Sequence, residues 1–176
     1  MESTLQIPRG PKVRPVVRVF ASWASVDGPV AQSFWALLGE ALAIDATYDF
    51  DVWSFDRALC VGERWDEEIR DALGRAHLGI LALTPAFLNS RYIQDVELPA
   101  FVGGEAAPGR WVVPVLLKPL PTTANLRGLA AHQIFRHPRL GDSRAFSRAG
   151  AAKDLWVHAL VEEIHEVLCR YPSIVG

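Results

Sequence analysis

Polar and apolar residues follow two rhythms along this chain. Short apolar runs recur at Val16-Val17-Arg18-Val19-Phe20-Ala21, Phe50-Asp51-Val52-Trp53-Ser54, Leu78-Gly79-Ile80-Leu81-Ala82-Leu83 and Trp111-Val112-Val113-Pro114-Val115-Leu116-Leu117. Their length and their β-branched and aromatic content predict strands. The third run is continuously apolar, as strands buried on both faces are. The fourth holds a proline, which predicts a place near a sheet edge or a strand end.

Between these runs the apolar period lengthens to that of a helix. Val30, Phe34, Leu37, Leu38 and Ala41 predict a helix to about Ala43, with Asp27 as its cap and Pro29 in its first turn. Trp65 to Ala76 predicts a second, with Trp65, Ile69, Ala72 and Ala76 inward and three acids where the helix dipole favours them. Tyr92, Ile93 and Val96 share one face of a third, capped by Ser90. Pro99 lacks a donor, so that helix should kink or end early, and Gly103-Gly104 should close it. Lys153 to Tyr171 predicts the last, with Trp156, Leu160, Ile164, Val167 and Tyr171 inward. Phe55 to Arg64 reads as a loop. Pro119 to Gly150 reads as loops around a short strand at Gln133-Ile134-Phe135.

Strands alternating with helices define an α/β domain: a flavodoxin-like parallel sheet of about five strands, covered by helices on both faces. Ligands of such sheets bind beyond the carboxyl ends of the strands. Ser22 to Asp27, Ser54 to Arg64 and the residues from Thr84 onward should therefore border one crevice. Glu97 follows that third loop and sits in an apolar run that continues Leu98, Pro99, Ala100, Phe101, Val102. A carboxylate there is costly unless it has a partner or a task. Trp23 follows a strand end and offers a stacking surface.

Composition narrows the classes. The chain has 176 residues, half of them hydrophobic, which suits one domain with a substantial core. Residues 1–14 are expected to be a flexible leader and 15–172 the folded domain. Cys60 and Cys169 make neither a disulfide framework nor a metal site. His158, Glu162 and His165 share a helix side but match no metal motif, so no metal is expected. No glycine-rich phosphate loop follows the first strand, where Ser22-Trp23-Ala24-Ser25 stands, and no Gly-x-Ser-x-Gly elbow occurs. These absences argue against dehydrogenase, NTPase and serine-hydrolase readings. No apolar run is long enough for a bilayer span and no signal peptide is visible, so a cytoplasmic protein without a membrane partner is expected.

The net charge of -2 is small, but its parts are segregated. Nine acids against three arginines lie between Asp45 and Asp71, and eight basic residues against Asp142 alone lie between Arg110 and Lys153. No basic-aromatic motif accompanies them, which argues against nucleic acid. Opposite charge at two ends suits head-to-tail self-association.

An ordered set of boxes resembles the TIR (Toll/interleukin-1 receptor) domain. Val19-Phe20-Ala21-Ser22 with Asp27 resembles its first box. Trp53-Ser54-Phe55-Asp56, then Leu59, Gly62, Trp65 and Ile69, resembles the second strand, the BB loop and the next helix. Leu81 to Tyr92 resembles the segment before the family's acid. Glu97-Leu98-Pro99 and Val113-Pro114-Val115-Leu116-Leu117 resemble the bacterial branch. The resemblance spans about Val16 to Tyr171. It implies NAD+ as substrate, with no cofactor, and cleavage of the nicotinamide–ribose bond to ADP-ribose or a cyclic isomer. Glu97 would be catalytic, and Ser22, Trp23, Asp56, Arg57 and Tyr92 would bind substrate. It further implies a role in bacterial anti-phage immunity, activation by self-assembly that extends to filaments, and a fused or separate sensor. Two other readings stand beside it: a non-catalytic TIR–TIR interaction module, and an enzyme like the nucleoside deoxyribosyltransferases.

Overall fold

The computed structural model describes residues 13–54, 65–102, 110–137 and 145–175. A parallel sheet is formed by β1 (Val16–Ser22), β2 (Asp49–Ser54), β3 (Leu78–Leu83) and β4 (Trp111–Leu116), in the order β2-β1-β3-β4. Helices α1 (Gly28–Ala43), α2 (Trp65–Arg75), the short α3 (Pro85–Asn89) and α4 (Lys153–Arg170) complete the α/β architecture.

Side chains of a strand alternate between faces, and each face here has its own core. Val17, Val19, Leu78, Ile80, Ala82 and Val115 pack with α1 and α4 around the fully buried Trp156. Phe20, Leu81, Leu83 and Val112 pack on the other face with α2, α3 and the segment that follows α3. β3 is buried at every position because it lies between two strands and under both layers.

The expected fifth strand is reduced, among the described residues, to one parallel bridge between Phe135 and Val115. The Phe135 amide donates to the Pro114 carbonyl at 2.7 Å and accepts, through its carbonyl, from the Leu116 amide at 3.1 Å. Pro114 therefore faces away from β3, and its missing N–H removes no bond of the main ladder. Proline at the sheet's margin is thus explained.

Two details differ from expectation. Tyr171 lies past the end of α4, is 42 % exposed, and stacks on Trp111 with ring centroids 5.0 Å apart. Leu168 takes the inward position instead, and Ile174, in a following turn at Pro172–Ile174, joins the core. Asp27 precedes α1, but its carboxylate makes no capping bond. Its partners are Thr84 and Lys118.

Candidate active site

The strand order places a switch point between β1 and β3, because the chain leaves β1 for one edge of the sheet and β3 for the other. Sheets of this kind receive ligands beyond the carboxyl ends of the two strands that flank such a point. Ser22 ends β1 and Thr84 follows β3.

Glu97 reaches this edge through an unusual backbone. The Thr84 hydroxyl accepts from the Phe87 amide at 2.9 Å and so caps α3, and Pro85 at its first position has no N–H to satisfy. Ser90 then caps the next helical segment as expected, accepting from the Ile93 amide at 3.4 Å. That segment widens into a π-helical turn at Ile93–Glu97, with the Leu98 amide bonded to the Ile93 carbonyl, and tightens to a 3-10 turn at Leu98–Ala100. Pro99 accounts for the early end of regular helix. The widened turn sets Glu97 at the junction of two helical pitches, a feature that recurs at functional sites.

Two contacts fix this segment on the sheet. Ile93, Leu98 and Phe101 are buried. Phe101 lies so close to Gly79 of β3 that a Cβ there would come within 2.3 Å of its ring. Arg110 closes the far end: its guanidinium donates to the Ala100 carbonyl at 3.0 Å and to the Ala76 and Gly74 carbonyls at the end of α2, both at 3.3 Å. A cation there also suits the negative end of a helix.

The Ser22 hydroxyl donates to Oε2 of Glu97, joining residues 75 apart in sequence. It is the one hydrogen bond to that carboxylate among the described residues. Burial dominates the electrostatics and pushes the Glu97 carboxyl up to about 7, against the opposing pull of the Ser22 hydroxyl. Tyr92 lies nearby, its phenol donating to Asp66 at the start of α2 at 3.2 Å. Burial, then the Asp66 charge, then the Glu97 charge, raise the phenol well above its usual range.

The structure thus brings Ser22, Tyr92 and Glu97 together on the face covered by α2 and α3. Trp23, next in sequence, turns to the opposite face and packs at 5.6 Å from Trp35 of α1. Asp56 and Arg57 lie outside the described residues. Asp27 is the polar residue that sequence reasoning misplaced. Its carboxylate, 3 % exposed, accepts from the Thr84 hydroxyl at 2.5 Å and from Nζ of Lys118 at 2.5 Å. Lys118 follows β4, so one carboxylate ties together the loops after β1, β3 and β4.

Farther off, His165 Nδ1 lies 2.8 Å from Asp45, whose oxygens also cap a turn at Thr47 and Tyr48. This pairing gives the histidine a structural use, and among the described residues no cluster of three metal-binding side chains occurs. Among them, too, no helix is long and apolar enough to cross a membrane.

The fold is a parallel α/β sheet with an acid held at its switch point. Residues 19–149 match the TIR domain family, and the chain belongs to that family. No curated protein matches the chain in a sequence comparison.

Proposed function

We propose that this TIR domain is an NAD+ glycohydrolase and that Glu97 is its catalytic residue. One observation carries the reading: the half-buried Glu97 carboxylate at the β1–β3 switch point is held by Ser22 alone among the described residues. Such a group has much to gain from a cationic partner. NAD+ brings one in its pyridinium ring, and more in the transition state.

The C1′–N1 bond breaks with its electron pair going to the ring nitrogen, so neutral nicotinamide leaves without a general acid. The ribose is left with oxocarbenium character. A carboxylate beneath the ring stabilises that charge, as in glycoside hydrolysis, and one acid suffices where glycosidases use two. Water then adds at C1′ and loses a proton, giving ADP-ribose. Addition of an internal nucleophile gives a cyclic product by the same first step. Ser22 orients the carboxylate, and Tyr92 covers the adjacent surface. The anti-phage role and self-assembly belong to this reading as well. The acidic stretch from Asp45 to Asp71 and the basic stretch holding the exposed Arg136 offer complementary ends.

The test is nicotinamide release from NAD+ at high protein concentration. Glu97→Gln should lower it by about 10²-fold or more, since it removes charge from the reacting centre, while the protein stays folded. Absence of release from the wild type, with or without a crowding agent, would overturn the enzyme reading. The chain would then stand as an interaction module, in which Glu97→Gln leaves self-association unchanged in light scattering. Cleavage of nucleosides with NAD+ untouched would instead favour a deoxyribosyltransferase-like enzyme.

A further inference from the structure

The carboxyl edge of the sheet carries a second charged group. Ser22 and Thr84 emerge from neighbouring strands and turn to opposite faces of the sheet. Ser22 meets Glu97 on the side of α2 and α3, and Thr84 meets Asp27 at the start of α1. Lys118 arrives from the end of β4 and joins Asp27. A carboxylate therefore lies on one side of the β1–β3 seam, and an ammonium lies on the other.

The ammonium is held but not used up. Asp27 takes one of its three donors, and the Lys118 side chain remains 39 % exposed. Both Asp27 oxygens are already bonded, one to Thr84 and one to Lys118, so Asp27 itself has little left to offer a ligand. Burying an ion pair is a poor way to gain stability, because the desolvation cost offsets the attraction. What this pair does achieve is a lysine fixed in place at the carboxyl edge, its rotamer entropy already lost before any ligand arrives.

The geometry points to Lys118 as a diphosphate-binding residue of the same edge. The inference rests on the glycohydrolase reading of Glu97. A dinucleotide carries a cationic pyridinium riboside at one end and an anionic diphosphate one ribose away. Its charges match the two groups in order: riboside against Glu97, diphosphate against Lys118. Lysine suits this task as a compact point charge on phosphate. Lys118 thereby selects dinucleotides over nucleosides that lack phosphate.

The experiment uses the full chain carrying Glu97→Gln, so that NAD+ can be titrated without being consumed. NAD+ and ADP are titrated calorimetrically against this protein and against the same protein with Lys118→Met. Loss of a charge-assisted contact should weaken both ligands about ten-fold or more. Because Lys118→Met leaves Asp27 without its cation, the titrations are repeated with Lys118→Arg, which should recover most of the affinity. They are also repeated with Asp27→Asn/Lys118→Met, which should not. Unchanged NAD+ and ADP affinity in Lys118→Met and in the double variant overturns the inference. So does failure of ADP to bind the Glu97→Gln protein at all, or equal losses in Lys118→Arg together with a lowered melting temperature. The two readings fail separately. Without nicotinamide release from the wild type the glycohydrolase falls, while ADP binding still reports on Lys118.

Discussion

Asp27, buried, and Glu97, half-buried, both lie at the carboxyl edge of one sheet, and the protein treats them in opposite ways. Asp27 has a hydroxyl on one oxygen and an ammonium on the other. Glu97 has a single hydroxyl among the described residues, and its proton affinity rises toward neutrality. The first arrangement is closed: every lone pair that matters is answered from within the chain, and three loops are tied by it. The second is open: it leaves electrostatic energy to be gained when a cation arrives. A partnered acid stabilises geometry, whereas an under-partnered one is poised to act.

The largest effect that tests this contrast is on stability. Lys118→Met leaves the Asp27 carboxylate buried beside Thr84 alone, and should cost about 3 kcal/mol in urea unfolding, because the charge left behind is buried although the lysine was partly exposed. Glu97→Gln should cost far less above neutral pH, and can even stabilise, because it removes a charge that the folded state holds poorly. Equal losses from the two substitutions would break the comparison.

A smaller effect probes what supports the open site. Gly79→Ala places a Cβ 2.3 Å from the Phe101 ring. The ring must move, and the turn that carries Glu97 moves with it. The expected cost is about 1–3 kcal/mol, as for overpacked cores. Nicotinamide release should fall further than the lost stability explains at temperatures where the variant is folded. Full activity in a destabilised Gly79→Ala protein would show that Phe101 serves the core and not the site.

Much of this fold was legible from residue pattern, for reasons that also mark the limits. β3 reads directly from Leu78 to Leu83, because a strand buried on both faces has no polar position to blur its ends. α1 and α4 read well because their stripes pack on one side of the sheet. Asp27 reads as a helix cap because sequence shows only its neighbours. The groups that claim its carboxylate lie 57 and 91 residues away. The same blindness hides the bond between Ser22 and Glu97. An acid in an apolar run still singled out Glu97, since the cost of burying charge is visible without the partner. The π-helical turn was not legible. A period of 3.6 residues cannot announce a widened turn, and Pro99 signalled only that regular helix must fail nearby. Tyr92, named through the family resemblance, lies near Glu97, whereas Trp23, named for its place after a strand, is sent by the pleat to the face opposite Glu97.

The smallest effect is also the most specific, and it concerns the hydroxyl between the two acids' loops. The Glu97 carboxyl titrates near 7 in the folded protein and near 4.5 ordinarily. Between those values the folded state binds more protons than the unfolded state, so stability must fall as pH rises through this window and level off above it. Ser22 opposes the shift, because its hydrogen bond favours the ionised form. Ser22→Ala should therefore push the carboxyl still higher and extend the decline beyond pH 7, with a net cost of roughly 1 kcal/mol or less near neutrality. Glu97→Gln should remove this part of the slope altogether. The proposed chemistry uses the ionised carboxylate, so the rising limb of kcat/KM should centre near pH 7 in the wild type and move upward in Ser22→Ala. Asp27→Asn acts on the closed arrangement and should lower stability without moving that limb. A limb that shifts equally in Ser22→Ala and Asp27→Asn would mean that the two acids act as one network, and the division between a closed and an open carboxylate would have to be given up.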